Sequence, residues 1–183
     1  MNRKLINGLA AAVAVVFLGW FAASPWLAAK ALGDAAERGD AQALERLVDF
    51  PRFRDSMKQE FNARFVEEMR ASSGDDPLAG LGALLGPALI SGAVDALVTP
   101  QAIAMMVRTG EAPKAEDVAR PEPKADEPEP KRTLGYRDLN TFAINFEDGR
   151  RADRSITLLM KRDGLFGWKL AAVDLPEREV PAA

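Results

Sequence analysis

The run Leu5–Ala23 (LINGLAAAVAVVFLGWFAA) constrains this chain most, because it holds no charged residue over the length a bilayer demands. A hydrocarbon core about 30 Å thick is crossed by about 20 apolar residues in a helix. Arg3 and Lys4 precede the run. Basic residues at the mouth of a span stay in the cytoplasm, so the chain beyond the run is expected to be exported. Trp20 and Trp26 flank the exit, and indoles favour the headgroup level of a membrane. Arg3, Lys4, Trp20 and Trp26 are therefore the expected membrane-interface residues, with packing inside the folded domain as the other reading of Trp26.

A cleaved secretory signal competes with a retained anchor. Such signals carry an apolar stretch of about 7–15 residues and a small-x-small cleavage site. Ala22-Ala23-Ser24 offers small residues, with Pro25 just past the cut, and Ala29-Lys30-Ala31 is a second candidate. The length of the run favours an anchor.

The chain contains neither cysteine nor histidine. Catalysis by a Ser-His-Asp triad or a Cys-His dyad needs an imidazole. Zinc, haem and iron–sulfur centres lose their usual donors. No cofactor and no metal is expected. The net charge is −3, and the basic residues are spread along the chain without the stripe that nucleic acid requires. With 183 residues, less the anchor, one domain is expected, large enough to dispense with disulfides.

Ser24-Pro25 reads as an N-cap and first helical residue, opening a helix that stops at Gly39 and is nearly continuous with the anchor. Asp40 caps a short helix over 41–48, and Asp49-Phe50-Pro51 breaks and restarts the chain. Over 52–70, Phe53, Met57, Phe61, Phe65 and Met69 recur every four residues, which predicts an amphipathic helix with a buried aromatic stripe. Ser72–Asp76 reads as a loop, and Asp76-Pro77 as the next helix start. Leu78–Val98 is long enough to span a bilayer, but its glycines, Pro87 and Asp95 predict two short buried helices broken at Gly86-Pro87. Thr99-Pro100 opens another helix, ended by Gly110.

Residues 111–132 are rich in Pro, Glu and Lys and are too polar to order themselves. Alternation then begins: Phe142, Ile144 and Phe146; Ile156, Leu158 and Met160; Trp168, Leu170 and Ala172. Asp148-Gly149 and Asp163-Gly164 are turn signals between them. The expected division is an anchor over 1–24, the helical part over 25–110, a disordered insert over 111–132, the sheet over 133–177 and a tail over 178–183. The expected class is α+β: an N-terminal transmembrane helix, then helices packed on a C-terminal three- or four-stranded antiparallel sheet.

The order of several landmarks carries a resemblance. These are Ala23-Ser24-Pro25-Trp26, Ala31 with Gly39-Asp40, Leu47-Val48-Asp49-Phe50-Pro51, Asp95-x-x-Val98-Thr99-Pro100, Tyr136, Trp168-Lys169-Leu170 and Asp174-Leu175-Pro176. In these the chain resembles a family of proteobacterial envelope proteins known only as a domain of unknown function. The resemblance implies a membrane-anchored bacterial protein and brings no catalytic residues with it. The architecture is also similar to cystatin-like and nuclear-transport-factor-like cones, which often hold a pocket between sheet and helix; fold alone does not imply function.

Asp34, Asp40, Asp49, Asp95 and Asp174 are the acids nearest apolar elements. Caps and turns account for Asp40 and Asp49, and Arg38 is an i,i+4 partner for Asp34. Asp95 is expected to pair with Arg52 or Arg54 if buried. Thr99 is expected to cap a helix. Asp95, Tyr136 and Trp168 are the candidate ligand-binding residues. The expected role is a single-pass inner-membrane protein whose periplasmic domain binds or scaffolds an apolar ligand or another envelope protein. Carboxylate acid–base chemistry and a two-span structural protein are the alternatives.

Overall fold

The computed structural model describes residues 3–71, 79–109, 131–147 and 156–175. The expected Ser72–Asp76 loop, the Asp76-Pro77 helix start, nearly all of the Pro-rich stretch and the Asp148-Gly149 turn lie outside them, as do the side chains of Arg3 and Lys4. Among the described residues, five helices precede a sheet of four strands.

Helix α1 (Arg3–Glu37) is one element of 35 residues with Pro25 inside it. The expected N-cap at Ser24 is not formed, because the helix passes straight through. Proline has no N–H for the carbonyl one turn earlier, which here belongs to Phe21. The Ser24 hydroxyl supplies the missing donor, 2.9 Å from the Phe21 oxygen. The helix ends as expected at Gly39, whose φ of 62° favours glycine. Gly39 N–H donates to Ala36 and Asp40 N–H to Ala35, closing the last turn.

Asp40 caps α2 (Ala41–Leu47) by accepting from Ala43 N–H at 2.9 Å. Asp49 accepts from Arg52 N–H at the head of α3 (Phe50–Ala71). On α3, Phe53 and Met57 are buried, Phe61 is partly buried against the same core, and Phe65 meets α4 (Ala79–Leu97) at Gly86. The aromatic stripe therefore serves two neighbours, the sheet and α4.

Contrary to the expected break at Gly86-Pro87, α4 is a single helix. Pro87 is exposed, and it costs the helix one backbone hydrogen bond without ending it. Val94 and Val98 are buried and Ile90 packs on the core, so this end of α4 belongs to the domain. Thr99 caps α5 (Pro100–Thr109), accepting from Ala102 N–H at 3.2 Å.

The strands β1 (Lys131–Asp138), β2 (Thr141–Glu147), β3 (Ile156–Asp163) and β4 (Gly167–Asp174) form an antiparallel meander in that order. One face carries Phe142, Ile144, Phe146, Leu158, Met160 and Leu170 into the helices, where Leu32 and Phe53 are fully buried. The other face is mixed: Asn145 bridges Thr133 and Thr157 on the flanking strands, and Ala143, Leu159 and Ala172 pair beside them. Alternation in β4 departs from expectation. Leu159 pairs with Ala172 but Met160 with Leu170, so Ala171 is an extra residue. This bulge brings Val173, in place of Ala172, to the core. The outer edge of β4 is covered: Asp49 N–H donates to the Leu170 carbonyl at 2.8 Å, and Ser56 Oγ bonds both Val173 backbone groups at 3.1 Å.

Candidate functional site

The described residues converge where α1 meets the sheet, around Pro25. The ring of Trp26 lies edge-on to Phe142 at 4.7 Å and to Tyr136 at 5.4 Å. Tyr136 is 5.9 Å from Trp168. Edge-to-face geometry matches the positive rim of one ring to the negative face of the next. The polar tip of each sheet residue finds α1 backbone or a side chain next to it. Tyr136 O–H donates to the Ala22 carbonyl at 3.0 Å. Trp168 Nε1–H donates to Ser24 Oγ at 2.9 Å, which in turn donates to Phe21. Thus the turn of α1 disturbed by proline is tied to two strands.

Arg162 holds the next level down. Its guanidinium stacks over Phe21 at 4.0 Å and over Trp168 at 4.3 Å. Its Nε and Nη2 donate to the Leu139 carbonyl and its Nη1 to the Leu165 carbonyl. Leu139 lies in the β1–β2 turn and Leu165 in the β3–β4 turn, so one side chain joins both hairpin tips to the helix. Phe166, beside Leu165, meets Phe17 and Phe21 edge-on at 5.4 and 6.4 Å. A crease of roughly 480 Å³ opens below it, lined by Ala12, Val13, Val16, Phe17, Trp20 and Phe166.

Two of the three ligand candidates, Tyr136 and Trp168, come together here, and both are engaged with α1. Asp95 stands apart on α4. It is about half exposed and pairs with Lys58, 2.8 Å away, rather than with Arg52 or Arg54. Arg54 instead donates to the Val98 carbonyl at the end of α4 and stacks over Phe50. Asp34 pairs with Lys30, one turn before it, at 3.1 Å rather than with Arg38, whose backbone N–H donates to the Asp34 carbonyl at 3.2 Å. Asp174 pairs with Arg137 at 2.7 Å. Asp138 is held below the ordinary carboxylate pKa, first by the N–H of Asn140 and then by the side chain of Thr141.

Sequence reasoning missed Ser24, Arg162 and Phe166 as parts of this junction. A signal existed for Arg162: it continues the inward alternation of Ile156, Leu158 and Met160. An arginine in that register needs a carbonyl or aromatic partner inside.

A family model matches residues 14–106, just over half of the chain, under the description of a protein of unknown function. The chain belongs to the DUF2939 family. The DUF2939 match starts within the apolar half of α1 and ends in α5, so the helical part carries it and the sheet lies outside. No curated protein and no solved structure matches the chain. The DUF2939 assignment supplies no activity, and the candidate site stands on its geometry.

Proposed function

We propose that this protein is a single-pass inner-membrane protein that keeps its N-terminal helix and holds a periplasmic binding or scaffolding domain directly on it. The observation that carries this reading is the junction at Pro25. Apolar residues from Ile6 to Trp20 are exposed along α1, whereas Leu32, Ala35 and Ala36 on the same helix are fully buried in the domain. Membrane span and core element are one helix. Cleavage after Ala23 would remove Phe17, Phe21 and the Ala22 carbonyl, each of which the sheet contacts. Such contacts favour an anchor over a disposable signal. Arg3 and Lys4 set the orientation by remaining on the cytoplasmic side.

A binding role is favoured over acid–base chemistry because the acids near apolar elements have structural work. Asp40 and Asp49 cap helices, and Asp34, Asp95 and Asp174 are ion-paired. A partner surface is offered by α4, where Leu85 and Leu89 stand exposed one turn apart. The test is the intact mass of the protein purified from membranes, together with alkaline phosphatase and a fluorescent protein fused separately after Ala183. Retained residues 1–23 with an active phosphatase support the reading. A mature chain starting near Ser24 overturns the anchor, and a fluorescent C-terminal fusion overturns the orientation.

A further inference from the structure

The apolar run ends at Ala23, yet the hairpin tips reach past that point toward the N-terminus of α1. Phe166 touches Phe17, which at about 1.5 Å per residue lies about 9 Å short of Ala23 along the axis. Phe166 also roofs the crease that runs down to Ala12 and Val13, whose walls are apolar throughout. The outermost side chains of both tips are large and apolar: Leu139 is 76% exposed and Leu165 is 65% exposed. Two exposed leucines on neighbouring turns are costly in water and suited to an interfacial layer.

The polar groups at this end fit the same level. Arg162 directs three donors to the tip carbonyls while its face stacks on aromatic rings. This satisfies backbone groups that would otherwise enter a region poor in water. Asp163 is paired with Lys169 at 2.9 Å, and Asp138 is engaged by its own turn.

We propose that the β1–β2 and β3–β4 tips are seated in the lipid headgroup layer of the bilayer that α1 crosses, with Leu139, Leu165 and Phe166 as the inserted side chains. The occupant of this apolar surface is lipid. Interfacial amphipathic helices bury their apolar faces about 5–10 Å at the boundary of headgroups and acyl chains, and Phe166 meets α1 at Phe17, about 9 Å along the axis from Ala23. The domain is then held in one orientation against the membrane, with the far end of the sheet, at Lys131 and Glu147, directed away from it. The inference rests on α1 being a span.

The absence of native cysteine allows single nitroxide labels on the full chain at V13C, L139C, L165C, K131C and E147C. All five sit outside the core, and circular dichroism verifies each fold. The labelled proteins are placed in phosphatidylethanolamine–phosphatidylglycerol nanodiscs, with and without a lipid carrying a nickel chelate on its headgroup. The expected result is a label at 13 reached by oxygen but not by soluble chelate. Labels at 139 and 165 should be relaxed by headgroup nickel, and those at 131 and 147 by soluble chelate alone. A deep label at 13 with tips that behave like 131 and 147 overturns the seating and leaves the anchor intact. A water-accessible label at 13 overturns both.

Discussion

Ser24 shows how one side chain satisfies both the backbone and the core. Its hydroxyl replaces the hydrogen bond that Pro25 withholds from Phe21, and its lone pair receives the buried indole N–H of Trp168. Substituting Ser24→Ala leaves both partners unsatisfied, and such groups cost about 1–3 kcal/mol each when buried. The expected outcome is a lower midpoint in urea unfolding with an unchanged slope. Arg162 and Tyr136 should buffer the loss, so α1 should remain helical by circular dichroism. Asp138 gives a pH signature at the same scale. Its pKa is lowered in the folded chain by the Asn140 N–H. A lowered folded pKa means that the turn is strengthened at neutral pH and that this contribution disappears as the pH falls through the carboxylate range. Carbon-13 NMR titration should place the Asp138 midpoint below 3.8, the ordinary value.

Among the elements, α4 is held to α3 by a close approach that glycine permits. A Cβ on Gly86 would collide with the ring of Phe65, whereas one on Gly92 meets open space. Gly86→Val is expected to destabilise by about 1–3 kcal/mol, through overpacking against an aromatic ring. Gly92→Ala is expected to be neutral or to stabilise by up to about 1 kcal/mol, because alanine loses less entropy in a helix. Thermal melts of the two variants should therefore move apart. The Lys58–Asp95 pair crosses the same helix contact, but its exposure limits it to a minor share. The aromatic stripe of α3 was legible from its four-residue spacing. Its division between sheet and α4 was not, because periodicity reports a face and not what covers it.

For the whole molecule, one backbone joins the exposed apolar half of α1 to the half buried in the domain. A chain beginning at Ser24 keeps the buried residues of α1 but loses the stacking of Arg162 on Phe21, the ring contacts of Phe166 and the carbonyl that receives Tyr136. Aromatic pairs and cation–π contacts of this kind are worth on the order of 2 kcal/mol together. The shortened chain is expected to unfold at lower denaturant than the full chain in nanodiscs. Its tips should also exchange amide hydrogens faster at Leu139 and Leu165, measured by mass spectrometry. Equal protection in the two chains would mean that the junction adds nothing to the domain.

The charge-free run, the stop at Gly39, the caps at Asp40, Asp49 and Thr99, and the apolar alternation from Phe142 onward were set by residues acting on near neighbours. Length, φ preference and side-chain spacing suffice for these, which is why the α+β class and the candidate span were readable in advance. Tertiary structure alone decided that Ser24 is a relay rather than a cap, that Val173 replaces Ala172 inside, and that Asp95 faces Lys58. The partners of the junction are 114 and 144 residues apart at Tyr136–Ala22 and Trp168–Ser24. Hydrogen bonds over such separations depend on where the sheet docks on α1, and that placement comes from the packing of every element between them.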